Sequence, residues 1–130
     1  MTLNDTLSNA LSHILNCERR GKKECIVGNV SRVVKEVLTI MKKLKYIEGF
    51  ESTKTDRGEF VKIRLSGRIN KCGVIKPRFP IKTTDFEKYE KRYLPAKDFG
   101  VIIISTPKGI MTHLESIKRG LGGRLLAYCY

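Results

Sequence analysis

Chemical groups that suit an anionic ligand are concentrated in the segment STPKGIMTHLESIKRGLGG, residues 105–123. Ser105 and Thr106 provide two adjacent hydroxyls, and Lys108 provides a positive charge. A helix predicted to start after Thr112 provides free backbone N–H groups, which commonly bind phosphates and carboxylates. These groups can all converge to form an anion site, which a sugar-phosphate backbone would suit.

Small residues in the same segment would let that ligand approach the main chain closely. Gly109, Gly122 and Gly123 have no side chain, and Pro107 stiffens the loop that follows the two hydroxyls. A purely structural explanation fits the same residues, because Gly120 is a typical helix stop and a pair of glycines suits a tight turn before a strand. Taken residue by residue, the structural explanation is the better one, but the same residues can also form an anion site.

The catalytic alternative is a hydrolase with Ser105 as its nucleophile and His113 as its base. No G-x-S-x-G motif surrounds the serine, and the histidine, one residue into a helix, is expected to be a solvated polar residue. The GLGG sequence lacks the G-K-[ST] of a Walker loop, and no dinucleotide fingerprint is present. Glu115 is the only acid after Asp98, which excludes a carboxylate pair in that region. We therefore expect no enzyme activity.

The charge balance points to a polyanionic partner. The chain has 130 residues, of which 26 are Lys or Arg and 13 are Asp or Glu, giving a net charge of +13. The stretch from Lys62 to Lys82, both included, contains seven basic residues and no acid. Since ordinary surfaces mix both signs, this stretch is a candidate linker and a candidate RNA-facing ribbon. Lys71, Lys76 and Arg78, in its densest part, are predicted to contact a nucleic-acid backbone.

Other features favour a cytosolic protein without a cofactor. The longest aliphatic run, Val101 to Ile104, is far too short to span a membrane, and the N-terminus does not look like a secretory signal. The cysteines are Cys17, Cys25, Cys72 and Cys129. They form no C-x-x-C pair, and neither His13 nor His113 completes a zinc spacing. We therefore expect plain thiols and no metal site.

Hydrophobic periodicity predicts an N-terminal α/β lobe over residues 1–68, in the order α-β-α-β-β. The first helix is capped by Asn4 or Asp5, and the second by Asn29 or Ser31. The apolar positions of the first helix are Leu3, Leu7, Ala10, Leu11, Ile14 and Leu15. Those of the second helix are Val33, Val34, Val37, Leu38, Met41 and Leu44.

Three short strands complete this lobe. One lies near Ile26, and a second lies around Phe50, just after Gly49, which is expected to end the second helix. A turn at residues 56–58, DRG, leads into the third strand. That strand alternates apolar and basic residues, namely Val61, Lys62, Ile63, Arg64 and Leu65. The hairpin is therefore predicted to have one apolar face and one cationic face.

Residues 69–130 predict a mostly β lobe with short helices, so the expected fold class is α+β with two small lobes. Capping-box sequences start two helices, TDFE at 84–87 and THLE at 112–115. The run 101–104 is expected to be a buried strand, and residues 124–130 a final strand. We expect the second lobe to carry the ligand-binding surface.

Two segments, STPKGIMT and GLGGRLLAY, resemble the signature of the small-subunit ribosomal protein eight family. The opening NDTLSNALSHILN is similar to the first helix of that family, and RFPIKTTDFEKYEKRYLPAKDFGVIIIST resembles its archaeal and eukaryal branch. The likeness extends over the whole chain. It implies a non-catalytic two-lobe protein that binds the central domain of small-subunit ribosomal RNA early in assembly, beside neighbouring small-subunit ribosomal proteins.

The resemblance also implies which residues contact RNA, because in this family the hydroxyl-rich loop meets a distorted segment of the RNA, with the glycine turn nearby. Carried over to this chain, the implied contacts are Ser105, Thr106, Lys108, Gly109, Gly122, Gly123 and Arg124. Pro107 stands where many members have a serine, so it can pack against a ribose but cannot donate a hydrogen bond. Asn4 is also included among the predicted contacts.

A second RNA-binding role fits the same residues. Some members of the family repress a messenger RNA that mimics the ribosomal site, and the same loop would serve both roles. The sequence therefore leaves open whether the chain is only a ribosomal constituent or also a translational repressor.

Overall fold

The computed structural model describes residues 6–28, 30–76, 78–96 and 99–130. The chain divides into two compact units, Met1–Ile69 and Asn70–Tyr130. Within the described ranges there are four helices and two antiparallel sheets, of three and five strands, which confirms the predicted α+β fold class. None of the described helices is long and apolar enough to cross a membrane.

The first unit packs two helices against a three-stranded sheet. Its elements are α1 (Thr6–Arg19), β1 (Glu24–Gly28), α2 (Arg32–Lys43), β2 (Ile47–Thr55) and β3 (Gly58–Leu65), in the predicted order. The strands are antiparallel in the order β1-β3-β2. The predicted apolar positions that are buried include Leu7, Ala10, Leu11, Ile14, Leu15, Val34, Val37, Leu38, Met41, Val61, Ile63 and Leu65. Leu44 is 40% exposed, because α2 ends before it.

The start of α2 is fixed by Ser31, one of its two predicted caps. The Ser31 hydroxyl accepts a hydrogen bond from the backbone N–H of Val34 at 3.4 Å and another from the Thr6 hydroxyl at 3.1 Å. The other predicted caps, which lie outside the described residues, are Asn4, Asp5 and Asn29. Because Thr6 begins α1, the Ser31 hydroxyl joins the starts of both helices.

The end of α2 differs from the prediction, since the helix stops at Lys43, well before Gly49. Lys45 adopts a left-handed conformation, with φ of 68°. The N–H groups of Lys45 and Tyr46 bond to carbonyls of the last helical turn at 3.0 and 2.9 Å, which is a Schellman motif. Lysine thus occupies the position that glycine usually takes. Gly49 lies instead in β2, at an irregularity in its pairing with β3.

The second unit builds its sheet around β8. Its elements are β4 (Cys72–Val74), β5 (Pro80–Ile81), α3 (Phe86–Tyr93), β6 (Val101–Thr106), β7 (Gly109–Thr112), α4 (His113–Arg119) and β8 (Gly123–Cys129). β8 pairs with β6 along one edge and with β4 and β5 along the other, and β7 pairs with β6. A buried cluster fills this unit with Ile75, Ile81, Phe86, Leu94, Ile102, Ile104, Met111 and Leu125.

Both predicted short helices are present, but only α4 has its predicted cap. The Thr112 hydroxyl accepts from the Glu115 N–H at 3.3 Å, and Gly120 ends the helix with φ of 67°. The helix predicted through Tyr93 is present, but its predicted capping box is wrong, because the N-cap residue is Asp85 rather than Thr84 and the Asp85 side chain makes no capping hydrogen bond. Asp85 has φ of −99° and ψ of 0°, whereas a capping side chain requires an extended backbone.

We expect Lys45→Gly to raise the free energy of unfolding by about 0.5–1 kcal/mol. Glycine removes left-handed strain of about 1–2 kcal/mol, part of which is offset by the greater entropy of glycine in the unfolded chain. Urea unfolding measures the change. Lys43→Gly, in the last helical turn, is the matched control and should lower stability by about 1 kcal/mol. Destabilisation by both substitutions would show that Lys45 is not strained.

Candidate nucleic-acid interface

One end of the second unit's sheet brings together most of the predicted binding residues. β6 ends at Thr106, while β7 begins at Gly109 and β8 begins at Gly123. Ser105 pairs with Arg124, and directly paired residues of antiparallel strands point to the same face. We call this region the sheet end, and its predicted members are Ser105, Thr106, Pro107, Lys108, Gly109, Gly122, Gly123 and Arg124.

The Ser105 hydroxyl is the group of the sheet end best placed to meet a ligand. The residue is half-buried in β6, between Ile110 of β7 and Arg124 of β8. Its side chain makes no hydrogen bond to any residue within the described ranges. A hydroxyl can both donate and accept, so Ser105 can bond to either kind of group on a ligand.

The Thr106 hydroxyl, in contrast, is used inside the hairpin that joins β6 to β7. It donates to the Gly109 carbonyl at 2.7 Å and accepts from the Lys108 N–H at 3.2 Å, and the residue is only 8% exposed. Gly109 has φ of 123°, and no atom lies within 4 Å of where a Cβ would be. Thr106 therefore shapes the turn, and Pro107 and Lys108 form its exposed tip.

The same turn closes the hairpin between β2 and β3. The Thr55 hydroxyl donates to the Gly58 carbonyl at 3.0 Å and accepts from the Arg57 N–H at 3.3 Å. Gly58 has φ of 124°, matching its counterpart in the second unit. Both turns read threonine, any residue, a basic residue and glycine, and our sequence predictions missed this shared pattern. The structure of the turn therefore explains the threonine and the glycine without any ligand.

The two glycines before β8 are required by packing inside the protein. A Cβ on Gly123 would lie 2.1 Å from the carbonyl oxygen of Ser105, and one on Gly122 would lie 2.6 Å from that of Ile81. Both distances are shorter than a Cβ atom tolerates to a non-bonded carbonyl oxygen. The missing side chains thus let β6 and β5 approach β8, and direct contact of these glycines with RNA stays a prediction.

The predicted convergence of helix N–H groups with the hydroxyls is wrong. Thr112, which caps α4, pairs with Ile103, whereas Gly109 pairs with Thr106. Three residues of strand separate Thr112 from Gly109, a distance of about 10 Å. The start of α4 therefore lies at the other end of β7 from the hairpin tip, and its Glu115 N–H already has a partner.

Positive charge at the sheet end comes from Lys108 and Arg124, which are both exposed. Neither residue forms an ion pair with any part of the chain that the structure describes. Exposed Lys82 follows β5, whose Ile81 pairs with Gly123, and so adds a third charge at this end. Lys82 belongs to the acid-free stretch, but its position was not predicted, because it depends on the pairing of β5 with β8.

Of the other predicted cations, Lys71 lies farthest from the sheet end. Lys71 exchanges backbone hydrogen bonds of 2.9 and 2.8 Å with Tyr130, which is about 20 Å of strand away from Arg124. Lys76 is exposed and follows Ile75, whose N–H donates to the Leu126 carbonyl at 2.9 Å. Arg78 is also exposed and lies nearer the sheet end, since it is two residues before Pro80, which pairs with Arg124. The predicted contact at position 4 lies outside the described residues.

His113 is not the solvated residue that the sequence led us to expect. It is 2% exposed, and its Nδ1 accepts a hydrogen bond from the Ile102 N–H at 3.1 Å. Its Nε2 lies 3.2 Å from a carboxylate oxygen of Glu90. Both ring nitrogens are thus engaged by β6 and α3, so the imidazole cannot serve Ser105 as a base. The histidine instead holds α4 against the rest of the unit.

The sheet end of this α+β fold combines exposed cations with a hydroxyl, which are groups that proteins use to contact nucleic acid. A family model described as Ribosomal protein S8 matches residues 5–130. The chain therefore belongs to the ribosomal protein S8 family.

Membership of this family confirms the predicted role. The chain is a structural protein that binds ribosomal RNA in the small subunit, and it has no enzyme activity. Its partners are small-subunit ribosomal RNA and other ribosomal proteins, and it works in the cytoplasm as part of the ribosome.

We expect Gly123→Ala to lower the free energy of unfolding by about 3 kcal/mol, because the added methyl meets backbone that cannot rotate away. Gly73→Ala is the matched control, since it also lies on a strand paired with β8 but its Cβ would meet only the Tyr128 side chain, at 3.1 Å. The control should cost less than about 1 kcal/mol. Equal, small losses in urea unfolding would contradict the close approach of β6 and β8.

Proposed function

We propose that the sheet end binds the central domain of small-subunit ribosomal RNA and that residues 69–130 form the RNA-binding lobe. The observation that carries this proposal is the pairing of Ser105 with Arg124 beside the exposed tip at Pro107 and Lys108. A hydroxyl and two cations thereby lie together at the sheet end. This combination suits RNA, which presents 2′-hydroxyls and base edges close to its phosphates.

Some groups of the sheet end provide specificity for the RNA sequence, and others provide affinity. Ser105 can bond to a base edge or a 2′-hydroxyl, where a lysine could only donate. Lys108 and Arg124 neutralise phosphates, which gives affinity and salt dependence. Pro107 can pack against a ribose, and Gly109 leaves open space beside it. Lys71, Lys76 and Arg78 supply further backbone contacts.

We also propose that the chain belongs to the archaeal and eukaryal branch of the family. The support is the segment RFPIKTTDFEKYEKRYLPAKDFGVIIIST, residues 78–106, which resembles that branch. This segment supplies β5, α3 and β6, and therefore one of the strands that meet at the sheet end.

We expect Ser105→Ala to weaken binding to a central-domain RNA fragment by about 1–3 kcal/mol, with little change in melting temperature, because its hydroxyl has no described partner in the protein. Thr106→Ala should lower the melting temperature as well, since it breaks the turn. Thr55→Ala is the matched control, because it breaks the same turn in the first unit and should leave RNA affinity unchanged. Wild-type affinity of Ser105→Ala would refute the proposed site.

The dependence of RNA affinity on salt concentration distinguishes phosphate contacts from the contact made by Ser105. Removing one phosphate contact changes the slope of log K against log salt by about 0.7–0.9. We expect Lys108→Ala and Arg124→Ala each to flatten the slope by about that amount, for cognate and scrambled RNA alike. Ser105→Ala should leave the slope unchanged while it reduces the preference for cognate RNA. Arg57→Ala, at the tip of the corresponding turn, is the control, and a slope change as large as that of Lys108→Ala would argue against the sheet end.

A further inference from the structure

A cluster of three metal-binding side chains lies in the first unit. One ring nitrogen of His13 and the sulfurs of Cys17 and Cys25 all lie within 4.8 Å of one another. His13 and Cys17 are four residues apart in α1, which puts them on one face of the helix. Cys25 comes from β1. Zinc motifs read along the sequence do not reveal this set, because its third member is supplied by another element.

The three ligand atoms are close to the spacing that a tetrahedral zinc ion requires. Bond lengths of about 2.3 Å to sulfur and 2.0–2.1 Å to nitrogen imply ligand-to-ligand distances of about 3.5–3.8 Å. The sulfur of Cys17 already lies 3.9 Å from Nε2 of His13. The separations within the cluster therefore need to close by at most about 1.3 Å.

The backbone fixes the two thiols, while the histidine remains accessible. Cys17 and Cys25 are 5% and 3% exposed, whereas the His13 side chain is exposed. The chain turns from α1 towards β1 through a hydrogen bond of 3.0 Å from the Lys22 N–H to the Cys17 carbonyl. Gly21, with φ of 71°, allows this turn. A metal ion would therefore enter from the side of His13, and water could reach it there.

We propose that His13, Cys17 and Cys25 bind one Zn²⁺ ion, with water as the fourth ligand. Two thiolates and an imidazole form a ligand set that zinc favours, whereas calcium and magnesium prefer oxygen. On binding, each thiol releases its proton to the solvent, so the two thiolates neutralise the charge of the ion. The ion would link α1 to β1. This inference does not depend on the proposed RNA site.

A disulfide between Cys17 and Cys25 is the competing chemistry. Burial, followed by a hydrogen bond with the Cys17 thiol, raises the pKa of Cys25 to about 12, although the charge of Lys22 acts in the opposite direction. The raised pKa opposes attack by the Cys25 thiol, and it equally opposes coordination, because a thiol must lose its proton before it binds a metal. The geometry favours metal binding, because the exposed imidazole of His13 lies beside both sulfurs as a third ligand, which a disulfide would not use.

The test is a titration of the untagged, reduced full-length chain with Co²⁺, followed by Zn²⁺. We expect one equivalent of Co²⁺ to produce the visible absorption of tetrahedral cobalt and a thiolate-to-cobalt charge-transfer band, and Zn²⁺ to abolish both. His13→Ala, Cys17→Ala and Cys25→Ala should each weaken binding at least about tenfold, because even the outer partners of a metal site contribute that much. Zn²⁺ should also raise the melting temperature of the wild type but not of His13→Ala.

The control is the double variant Cys72→Ala, Cys129→Ala, which removes the other two buried thiols, a directly paired set on β4 and β8. It should keep both absorption bands. His13 is exposed, so His13→Ala tests the site without disturbing the core. Absence of the bands in the wild type, their retention in Cys25→Ala, or their loss in the control would overturn the proposal. Loss of two free thiols on isolation under air, without bound metal, would favour the disulfide instead.

Discussion

The close approach of β8 to β6 is the constraint on which the second unit depends. Gly123 lies so near the Ser105 carbonyl that even a methyl group would come within 2.1 Å of the oxygen. Gly122 allows a similar approach to Ile81 of β5. These contacts set the register of β8 against both neighbours, and the register in turn places Arg124 beside Ser105. The surface chemistry of the sheet end is thus a result of backbone packing.

Elements with local signals were predictable from the sequence. Alternating apolar and basic residues identified β3, and helical spacing identified α1 and α2. Thr112 and Gly120 marked both ends of α4, because a capping hydroxyl and a left-handed glycine act on the residues next to them. The family was equally accessible, since STPKGIMT and GLGGRLLAY are continuous segments whose resemblance requires no knowledge of the fold.

Features that depend on distant partners were not predictable. His113 is buried because Glu90 and the Ile102 N–H satisfy its ring, and neither partner is near it in sequence. Lys45 ends α2 because two backbone hydrogen bonds outweigh its strain, although a glycine follows four residues later. Cys25 lies beside His13 and Cys17 because β1 and α1 come together in the fold, which spacing along the sequence does not show. In each case the sequence showed the residue type but not the group that the residue meets in the fold.

The order of the strands has a consequence for synthesis of the chain. β8 pairs with β4, β5 and β6, yet it follows all three in the sequence. Translation proceeds at about 5–20 residues per second, so the earlier strands of this unit remain without their common partner for a time on the order of seconds. The first unit has all its strands once β3 has emerged. It can therefore fold during translation, while the sheet end forms only after β8 has left the ribosome.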